Sequence, residues 1–313
     1  MTPGRLFYLG CHAPLAAVAH SIRAGGPLQQ WRNFRGEAAM RAAATRLPPT
    51  PPFRLSTPLS PEICFLTGRR FWHQTAFCAW SFLRAAGRPV PFVFYDDGTF
   101  DSALVTRAQQ LFPGCKIVSA SDSEAALDTH LPAARFPSLR AQRRSYLHLR
   151  KLTDCHAGHT GVRLVLDSDI LFFRRPDAVL AWLAAPAEPI HLIDVADAYG
   201  YPAATLQTLS RSPIPHRVNV GLLGLRSDTI DWAKLEHACT TLLVAHGTSY
   251  YLEQALCAVL LAEQTAIRLP FADYRLMPDE TECRRPTATL HHYVAGSKRG
   301  YFRHAWRHFG DRT

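Results

Sequence analysis

Two aspartates, Asp167 and Asp169, lie inside an apolar stretch of the chain. Five residues of strand-forming type (162–166) precede them, and four apolar residues (170–173) follow. On an extended chain, carboxylates at positions i and i+2 project to the same side. Burying them without compensation costs several kcal/mol, and a divalent cation such as Mn²⁺ or Mg²⁺ supplies the missing charge while accepting phosphate as a further ligand. The stretch therefore predicts a metal site for a phosphate-bearing substrate.

The composition favours an anionic partner. The chain has 313 residues, 47% of them hydrophobic, enough for one large α/β domain or two small ones. It carries 35 basic and 25 acidic side chains, a formal net charge of +10. This balance suits nucleoside diphosphates, nucleic acid or an acidic membrane surface, and does not choose among them.

Cysteine usage indicates a reducing compartment. Eight cysteines are scattered without a C-x-x-C pair, mostly in apolar surroundings, which predicts buried thiols in a cytoplasmic protein. No run reaches the roughly 18 apolar residues of a membrane span. The first residues loosely imitate a signal peptide, but Cys11, His12 and Pro14 interrupt its apolar run, so export is not predicted.

The elements that must position the two aspartates are predicted from Pro61 onward. Helices are expected at 71–86, 123–155, 231–245 and 250–263, and strands at 63–68, 89–95, 116–118, 162–173, 189–194 and 218–225. Strands and helices alternating at these lengths predict an α/β sheet with parallel strands, where ligands gather at the carboxyl ends. Residues 1–58 are interpreted as an N-terminal extension, with a basic helix from Leu28 to Arg46 strapped across a domain of residues 59–313.

An ordered set of motifs resembles the GT-A glycosyltransferases, closest to the retaining glycogenin and lipopolysaccharide galactosyltransferase group (family eight). The set covers roughly residues 61–300 and comprises Asp167-Ser168-Asp169, Asn219-x-Gly221, Glu253-Gln254, and His292-Tyr293 followed by Lys298. The resemblance implies a single GT-A (Rossmann-like) domain with a mixed, mostly parallel sheet flanked by helices. It also implies metal-dependent transfer from a nucleotide-diphosphate sugar, UDP favoured, to an unidentified glycan, lipid-linked or small-molecule acceptor.

The same resemblance assigns roles to individual residues. Asp167, Asp169 and His292 would hold Mn²⁺ or Mg²⁺, and Lys298 would neutralise the diphosphate. Glu253 and Gln254 would lie beside the anomeric carbon. The remaining donor-binding residues would be Thr67, Gly68, Asp96, Asp97, Arg150, Ser168, Asp194, Asn219 and Gly221. Gly221 is expected to leave room for the sugar against the backbone.

Two departures bear on the acceptor and the stereochemistry. Glu253-Gln254-Ala255 stands where the family usually has Asp-Gln-Asp, and Arg299-Gly300 replaces its Pro-Trp. The resemblance favours retention of the anomeric configuration, whereas Glu253 acting as general base for the acceptor would give inversion.

Structural explanations compete with several of these roles. The Asp-Ser-Asp could be a turn held by Asx hydrogen bonds, and Glu253 could simply favour a helix dipole. His292 could be structural, and Asn219 could belong to a strand-end turn. The basic cluster from Arg140 to Lys151 is expected to be a solvated helix face, apart from Arg150.

Two other functions also fit parts of the sequence. A haloacid-dehalogenase-like phosphatase uses an Asp-x-Asp, but it needs Thr or Val where Leu171 stands, and its motif lies near the start of the domain. A non-catalytic nucleotide- or RNA-binding protein would suit the charge. No RNA-binding signature is visible, so nucleic acid is not expected as a partner.

The C-terminal tail, 299–309, has two interpretations. As a helix it would gather five apolar side chains on one face and place basic ones largely opposite: Tyr301, Phe302, Ala305, Trp306 and Phe309. Such a helix could lie on the inner face of a membrane, or it could pack its aromatic side chains on the domain, which is the commoner outcome.

Overall fold

The computed structural model describes residues 26–53 and 61–310. It contains ten strands: β1 (Glu62–Thr67), β2 (Phe92–Asp96), β3 (Lys116–Val118), β4 (Val162–Leu166), β5 (Ile170–Phe172), β6 (Ile190–Ile193), β7 (Val218–Arg226), β8 (Ile267–Arg268), β9 (Tyr274–Leu276) and β10 (Leu290–His292).

Twelve α-helices accompany the strands in the described residues. They are α1 (Pro27–Ala44), α2 (Trp72–Ala86), α3 (Ser102–Leu111), α4 (Ala120–His130), α5 (Pro137–Ser145), α6 (Arg150–His156), α7 (Asp177–Ala184), α8 (Ala203–Gln207), α9 (Trp232–His246), α10 (Leu252–Leu261), α11 (Glu280–Arg284) and α12 (Lys298–Arg303).

Seven strands form one mixed sheet in the order β3-β2-β1-β4-β7-β6-β8. Strands β3, β2, β1 and β4 are mutually parallel, β7 runs against both of its neighbours, and β8 is parallel to β6. The expectation of a single α/β domain with a mixed, mostly parallel sheet is confirmed. A topology of this kind brings the carboxyl ends of β1, β2 and β4 to one edge.

The strand predicted across 162–173 is in fact two strands in different sheets. β4 is central in the large sheet, whereas β5 joins a three-stranded sheet in the order β5-β10-β9. Between them the chain turns at Ser168 and Asp169. The prediction that an extended strand aligns the two carboxylates was wrong, because a turn brings them together.

Both faces of the large sheet are covered, as apolar runs in parallel strands require. Leu164 and Leu166 of β4 point into one core with α2, while Val165 between them points into a core on the other face. A further cluster packs α9 and α10 against β7. Period-two alternation in a strand buried on both sides therefore accounts for the run of apolar residues before the aspartates.

The region predicted as one helix at 123–155 is three helices with a 3₁₀ turn at Leu147–Leu149. Most of its basic cluster is not a solvated face, although Arg144 is exposed. Arg143 lies 2.7 Å from Asp154, and both side chains are almost fully buried. Arg140 is buried as well, with Glu124 and Asp128 as its partners. Opposite charges from neighbouring helices neutralise the arginines, and that pairing was not visible from the helix's own sequence.

Helix α1 packs across α2 and α12. The helices approach closely at Gly36, where a Cβ atom would lie 2.4 Å from the carbonyl oxygen of Phe302. The proline-rich segment after the helix has no regular structure, as predicted. It is tied to the domain by backbone bonds, with the Thr50 and Phe53 amides donating to the carbonyls of Leu111 and Pro113.

The C-terminal tail packs on the domain. The helix ends at Arg303, a 3₁₀ helix follows at Ala305–Phe309, and the five apolar side chains of the predicted face are all buried. Trp306 packs against Phe77, with ring centroids 5.6 Å apart. The aromatic face is therefore part of the core, the commoner of the two outcomes.

The seven cysteines within the described ranges are free thiols, and Cys115 alone among them is partly exposed. Burial raises the pKa of the Cys115 thiol to about 11. Among the described helices, none combines the length and apolarity needed to cross a membrane.

We predict that Asp154→Ala lowers the free energy of unfolding by about 3 kcal/mol, because it leaves Arg143 buried with only part of its compensation. Urea unfolding followed by circular dichroism measures the change. The exposed pair of Arg175 and Asp177 provides the control. Asp177→Ala is expected to cost less than about 1 kcal/mol, and equal losses for the two variants would contradict the role given to the buried pair.

Candidate functional site

Three potential metal ligands meet where the two sheets join. Asp167 follows β4, Asp169 precedes β5, and His292 ends β10. One ligand atom from each lies within 4.8 Å of the others. His292 Nε2 is 3.3 Å from an Asp169 oxygen and 3.5 Å from an Asp167 oxygen. The sequence predicted this set, and the structure brings its members together.

Backbone bonds across the sheet junction fix the position of each ligand. The Asp167 amide donates to the carbonyl of Gly221 on β7 (2.7 Å), and the Tyr293 amide donates to the carbonyl of Asp169 (2.9 Å). His292 pairs with Ile170 in the register of β10 and β5. The turn is therefore held from both sheets rather than by its own residues.

A hydrogen-bond network determines which nitrogen of His292 faces the carboxylates. Asn219 donates from its amide nitrogen to Asp194 (2.9 Å), so its oxygen accepts from the Gly221 amide (3.0 Å) and faces His292 Nδ1 (3.2 Å). Nδ1 must then carry the proton. In a neutral ring, Nε2 presents a lone pair to Asp167 and Asp169.

The space beside Gly221 belongs to His292. A Cβ atom on this glycine would lie 2.1 Å from Cε1 of the imidazole. Gly221 was expected to make room for a sugar. In the structure its missing side chain instead makes room for the ring of His292.

Two lysines compensate the carboxylates. Lys151 Nζ lies 2.6 Å from Asp167 and 3.1 Å from Glu253, and Lys298 Nζ lies 2.6 Å from Asp169. Burial by itself would raise the pKa of Asp167, but Lys151 and His292 together hold that pKa well below its usual value. Burial by itself would also raise the pKa of Asp169, but Lys298 and His292 lower that pKa.

Lys151 was missed in the sequence, where the adjacent Arg150 was chosen instead. Arg150 donates to the carbonyl of Asp97 (3.0 Å) and closes the loop after β2, while Lys151, on the inner side of α6, is 6% exposed. One usable signal was available. Lys151 is one of only four lysines in a chain whose positive charge is almost entirely arginine.

Glu253 and Gln254 begin α10 and are both buried. Burial raises the pKa of Glu253 to about 7, despite the opposing charge of Lys151. Gln254 donates from its amide to Asp194 (3.1 Å) and to the carbonyl of Ala198 (2.8 Å). Glu253 is therefore more than a favourable charge at a helix start, since it shares Lys151 with Asp167.

Small polar groups line the ends of β1 and β2. A chain of hydroxyl contacts runs from Thr67 to Thr75 (2.6 Å) and on to Ser168 (2.7 Å). The loop after β2 is closed by Asp96, which accepts from the amides of residues 98, 99 and 100. A Cβ atom on Gly68 would lie 1.9 Å from the Asp97 carboxylate, so these two loops touch.

An aromatic cluster lies at the N-terminal end of α10, the helix that carries Glu253. The His148 ring is 5.4 Å from the rings of both Tyr146 and Tyr250, and Tyr251 is 5.2 Å from Tyr250. Burial raises the pKa of Tyr250, and the negative charge of Asp167 raises it further. Tyr250 is nevertheless 69% exposed.

The donor set fits a divalent cation. Nε2 of His292 is buried without a hydrogen-bond partner. Burial favours the uncharged ring, yet the two aspartates raise the pKa of His292 to about 9. This point of the site therefore demands positive charge, which either a proton or a metal ion can supply. Two carboxylates and one imidazole match the ligand preferences of Mn²⁺ and accept Mg²⁺.

The fold has known counterparts among solved structures. Mouse xyloside xylosyltransferase 1 in its apo form aligns with a TM-score of 0.51 at 11% identity, over 76% of this chain and 98% of that one. The galactosyltransferase LgtC, in complex with donor and acceptor sugar analogues, aligns with a TM-score of 0.51 at 14% identity, over 75% and 87%. The chain has the GT-A glycosyltransferase fold.

A third GT-A structure, the bifunctional glycosyltransferase WbbM, aligns with a TM-score of 0.50 at 11% identity. The alignment covers 78% of this chain and 47% of WbbM. At the level of sequence, no family profile and no curated protein matches. The GT-A fold is thus established through structure, whereas the roles of individual side chains rest on the geometry of this site.

We predict that Gly221→Ala weakens Mn²⁺ binding by about tenfold or more, because the added methyl group displaces His292 and disturbs the ligand's support. Isothermal titration with Mn²⁺ and UDP measures the affinity. Gly224→Ala on the same strand is the matched control, since its methyl group would meet Trp182 at 2.4 Å. Both variants are expected to lose stability, but loss of metal affinity in both would contradict a specific effect on His292.

Proposed function

We propose that the protein is a metal-dependent glycosyltransferase that moves a sugar from a nucleotide-diphosphate donor, UDP favoured, to an acceptor with retention of configuration. The observation that carries the proposal is the buried, unpartnered Nε2 of His292 facing Asp167 and Asp169. The GT-A fold supports it, because the chain's structural counterparts named above are glycosyltransferases.

Asp167, Asp169 and His292 would hold Mn²⁺ or Mg²⁺. When bound, such an ion supplies Lewis-acid stabilisation of the negative charge that develops on a departing diphosphate. Asn219 keeps the Nε2 of His292 available for this purpose through its bond to Nδ1. Lys151 keeps Asp167 ionised and oriented from the opposite side.

Lys298 would assist the same departure. Its ammonium group pairs with Asp169 and also donates to Gln74 (3.1 Å), and the side chain remains 31% exposed. A partly exposed cation on a flexible stem beside the carboxylates can approach a diphosphate oxygen without transferring a proton.

The donor's nucleoside and sugar would occupy the two sides of the metal ligands. Residues at the ends of β1 and β2, Thr67, Gly68, Asp96 and Asp97, and Ser168 in the turn would face the nucleotide, with Arg150 bracing their loop. On the other side Asp194 accepts from both Asn219 and Gln254. We infer that Asp194 positions these two amides, and that they provide the hydrogen bonds to sugar hydroxyls.

Retention is favoured by the surroundings of Glu253. A base that deprotonates the acceptor hydroxyl needs a free carboxylate oxygen next to it. Glu253 is instead buried and paired with Lys151. Comparing the anomeric configuration of the product linkage with that of the donor by NMR tests this directly, and an inverted linkage would return Glu253 to the role of base.

The aromatic cluster of Tyr146, His148, Tyr250 and Tyr251 would receive the acceptor. Exposed aromatic rings offer flat apolar faces with polar edges, which suits an amphipathic ligand such as a sugar ring. Tyr250 and Tyr251 immediately precede α10, the helix that carries Glu253, and both are exposed. The acceptor's identity as glycan, lipid-linked or small molecule is left open by these contacts.

Titration with UDP in the presence and absence of Mn²⁺ tests the proposed function. Nucleotide binding that requires the metal supports a transferase. Metal-independent binding, or hydrolysis of a phosphate monoester with no nucleotide preference, would favour a nucleotide-binding protein or a phosphatase instead. A panel of nucleotide sugars, scored by protection against thermal unfolding, then identifies the donor.

We predict that Asp169→Asn abolishes Mn²⁺-dependent UDP binding and leaves the fold intact, because the amide removes the charge that a metal ion requires. Isothermal titration and a thermal melt measure the two effects. Asp177→Asn, an exposed site away from the ligands, serves as control. Unchanged Mn²⁺ affinity in Asp169→Asn would remove this residue from the metal site.

Lys298→Ala is expected to lower kcat about 10- to 100-fold with little change in the donor KM, because its charge matters most as the diphosphate leaves. Steady-state kinetics with the identified donor measures both constants. Lys234→Ala, which removes a lysine paired with Glu263, should leave kcat unchanged. A rise in KM alone would assign Lys298 to ground-state binding.

Tyr250→Ala is expected to raise the acceptor KM about tenfold while leaving the donor KM unchanged, since it removes the most exposed tyrosine of the aromatic cluster. Tyr250→Phe keeps the ring and should behave as wild type. Steady-state kinetics at saturating donor measures the constants. Equal losses for the two substitutions would assign the effect to the hydroxyl group rather than to stacking.

A further inference from the structure

Helix α1 carries large apolar side chains on a face that the domain does not use. Leu28, Trp31 and Phe34 are 57%, 52% and 70% exposed. The opposite face, with Gly36, Met40 and Ala44, is already buried against the domain. Within residues 26–53 and 61–310 the inner face accounts for the packing of the helix, and the exposed outer apolar face is of the kind that meets a partner.

Positive charge surrounds this outer face. Arg32, Arg35 and Arg41 lie on the exposed surface of the helix, and the Arg35 guanidinium stacks over Trp31 at 4.8 Å from the ring centroid. The first 46 residues of the chain contain six arginines and a single acidic residue, Glu37. That carboxylate is committed to Arg41 (2.9 Å) and lies 3.4 Å from His73.

We propose that the outward face of α1 binds the surface of an anionic lipid bilayer. Apolar and aromatic side chains rimmed by arginines match a bilayer interface, where rings enter the headgroup region and guanidinium groups reach lipid phosphates. A second copy of the chain fits less well. A twofold contact through this face would bring Arg32 and Arg35 close to the same residues of the other copy.

The contact would hold the candidate site close to the membrane. Glu37 on α1 faces His73 at the start of α2, and the next residue, Gln74, accepts from Lys298, which pairs with Asp169. These contacts connect α1 to the candidate site, so the docking would suit a membrane-borne acceptor. This consequence rests on the proposed transferase function, whereas the docking itself does not.

Vesicle sedimentation of the full chain tests the docking. Wild type is expected to bind vesicles made of equal parts phosphatidylcholine and phosphatidylglycerol, to bind pure phosphatidylcholine vesicles at least tenfold more weakly, and to lose affinity as salt is raised. Trp31→Ser with Phe34→Ser should lower the partition coefficient on the anionic vesicles at least tenfold. Arg32→Gln with Arg35→Gln should do the same.

Matched controls remove similar side chains from other surfaces. Val244→Ser with Ile267→Ser removes two exposed apolar groups, and Arg135→Gln with Arg226→Gln removes two exposed charges. Both controls should bind as wild type does. UDP titration of every variant separately reports on the nucleotide site, so failure of the transferase proposal cannot be mistaken for failure of docking.

Three outcomes would overturn the proposal. The first is failure of wild type to bind anionic vesicles. The second is binding of the α1 variants that equals that of their controls, which would place any membrane contact elsewhere. The third is a dimer, detected by light scattering, that Trp31→Ser with Phe34→Ser converts to a monomer, which would make the face a protein interface. If an α1 variant does not fold, hydrogen exchange of wild type decides, since vesicles must slow exchange in residues 27–44.

Discussion

The negative charge of Asp167 and Asp169 is the constraint on which the rest of the structure depends. The pair lies at the junction of two sheets. Three groups from distant parts of the chain compensate its charge: Lys151 from α6, His292 from β10 and Lys298 from α12. Each lysine or imidazole must itself leave water to do so, and only close approach offsets that cost. The site is therefore an organising centre of the fold as well as its candidate for chemistry.

Because lysines compensate the carboxylates, the carboxylates alone do not require a metal ion. An uncompensated carboxylate pair would by itself demand a divalent cation, but in this structure two ammonium groups lie against the pair, and one of them is shared with Glu253. The case for the ion rests instead on His292, whose buried Nε2 is aimed at both carboxylates and is kept free by Asn219. Gly221 completes the arrangement, because the ring occupies the volume that any side chain there would fill. The same fold can thus be stable before donor binding and still provide a ligand set for a cation.

Sequence periodicity predicted the layered α/β fold well, and it failed where the outcome depended on distant partners. Strands such as β1 and β7 were found because apolar runs bounded by glycine or polar residues are local signals. The turn at Ser168 was hidden by the apolar residues on both sides, which belong to different sheets. The buried arginines of α5 were taken as solvated because Asp154 and Glu124 lie on other helices. Lys151 was passed over for its neighbour because helical phase, not residue spacing alone, decides which of two adjacent side chains points inward.

The two ends of the described chain also show that local sequence does not decide whether an aromatic and basic segment is buried or exposed. Both carry aromatic and basic residues. At the C-terminus the aromatic side chains complete the core: Tyr301 stacks on Tyr293 with centroids 4.5 Å apart, directly behind the histidine ligand's strand. Helix α1 covers α12 and contacts it through small residues, with Gly36 against the Phe302 carbonyl. The C-terminal segment lies between α1 and the rest of the domain, and only the small residues of α1 fit against it, so the larger side chains of α1 face outward. This layering depends on contacts between distant parts of the chain, which no local pattern encodes.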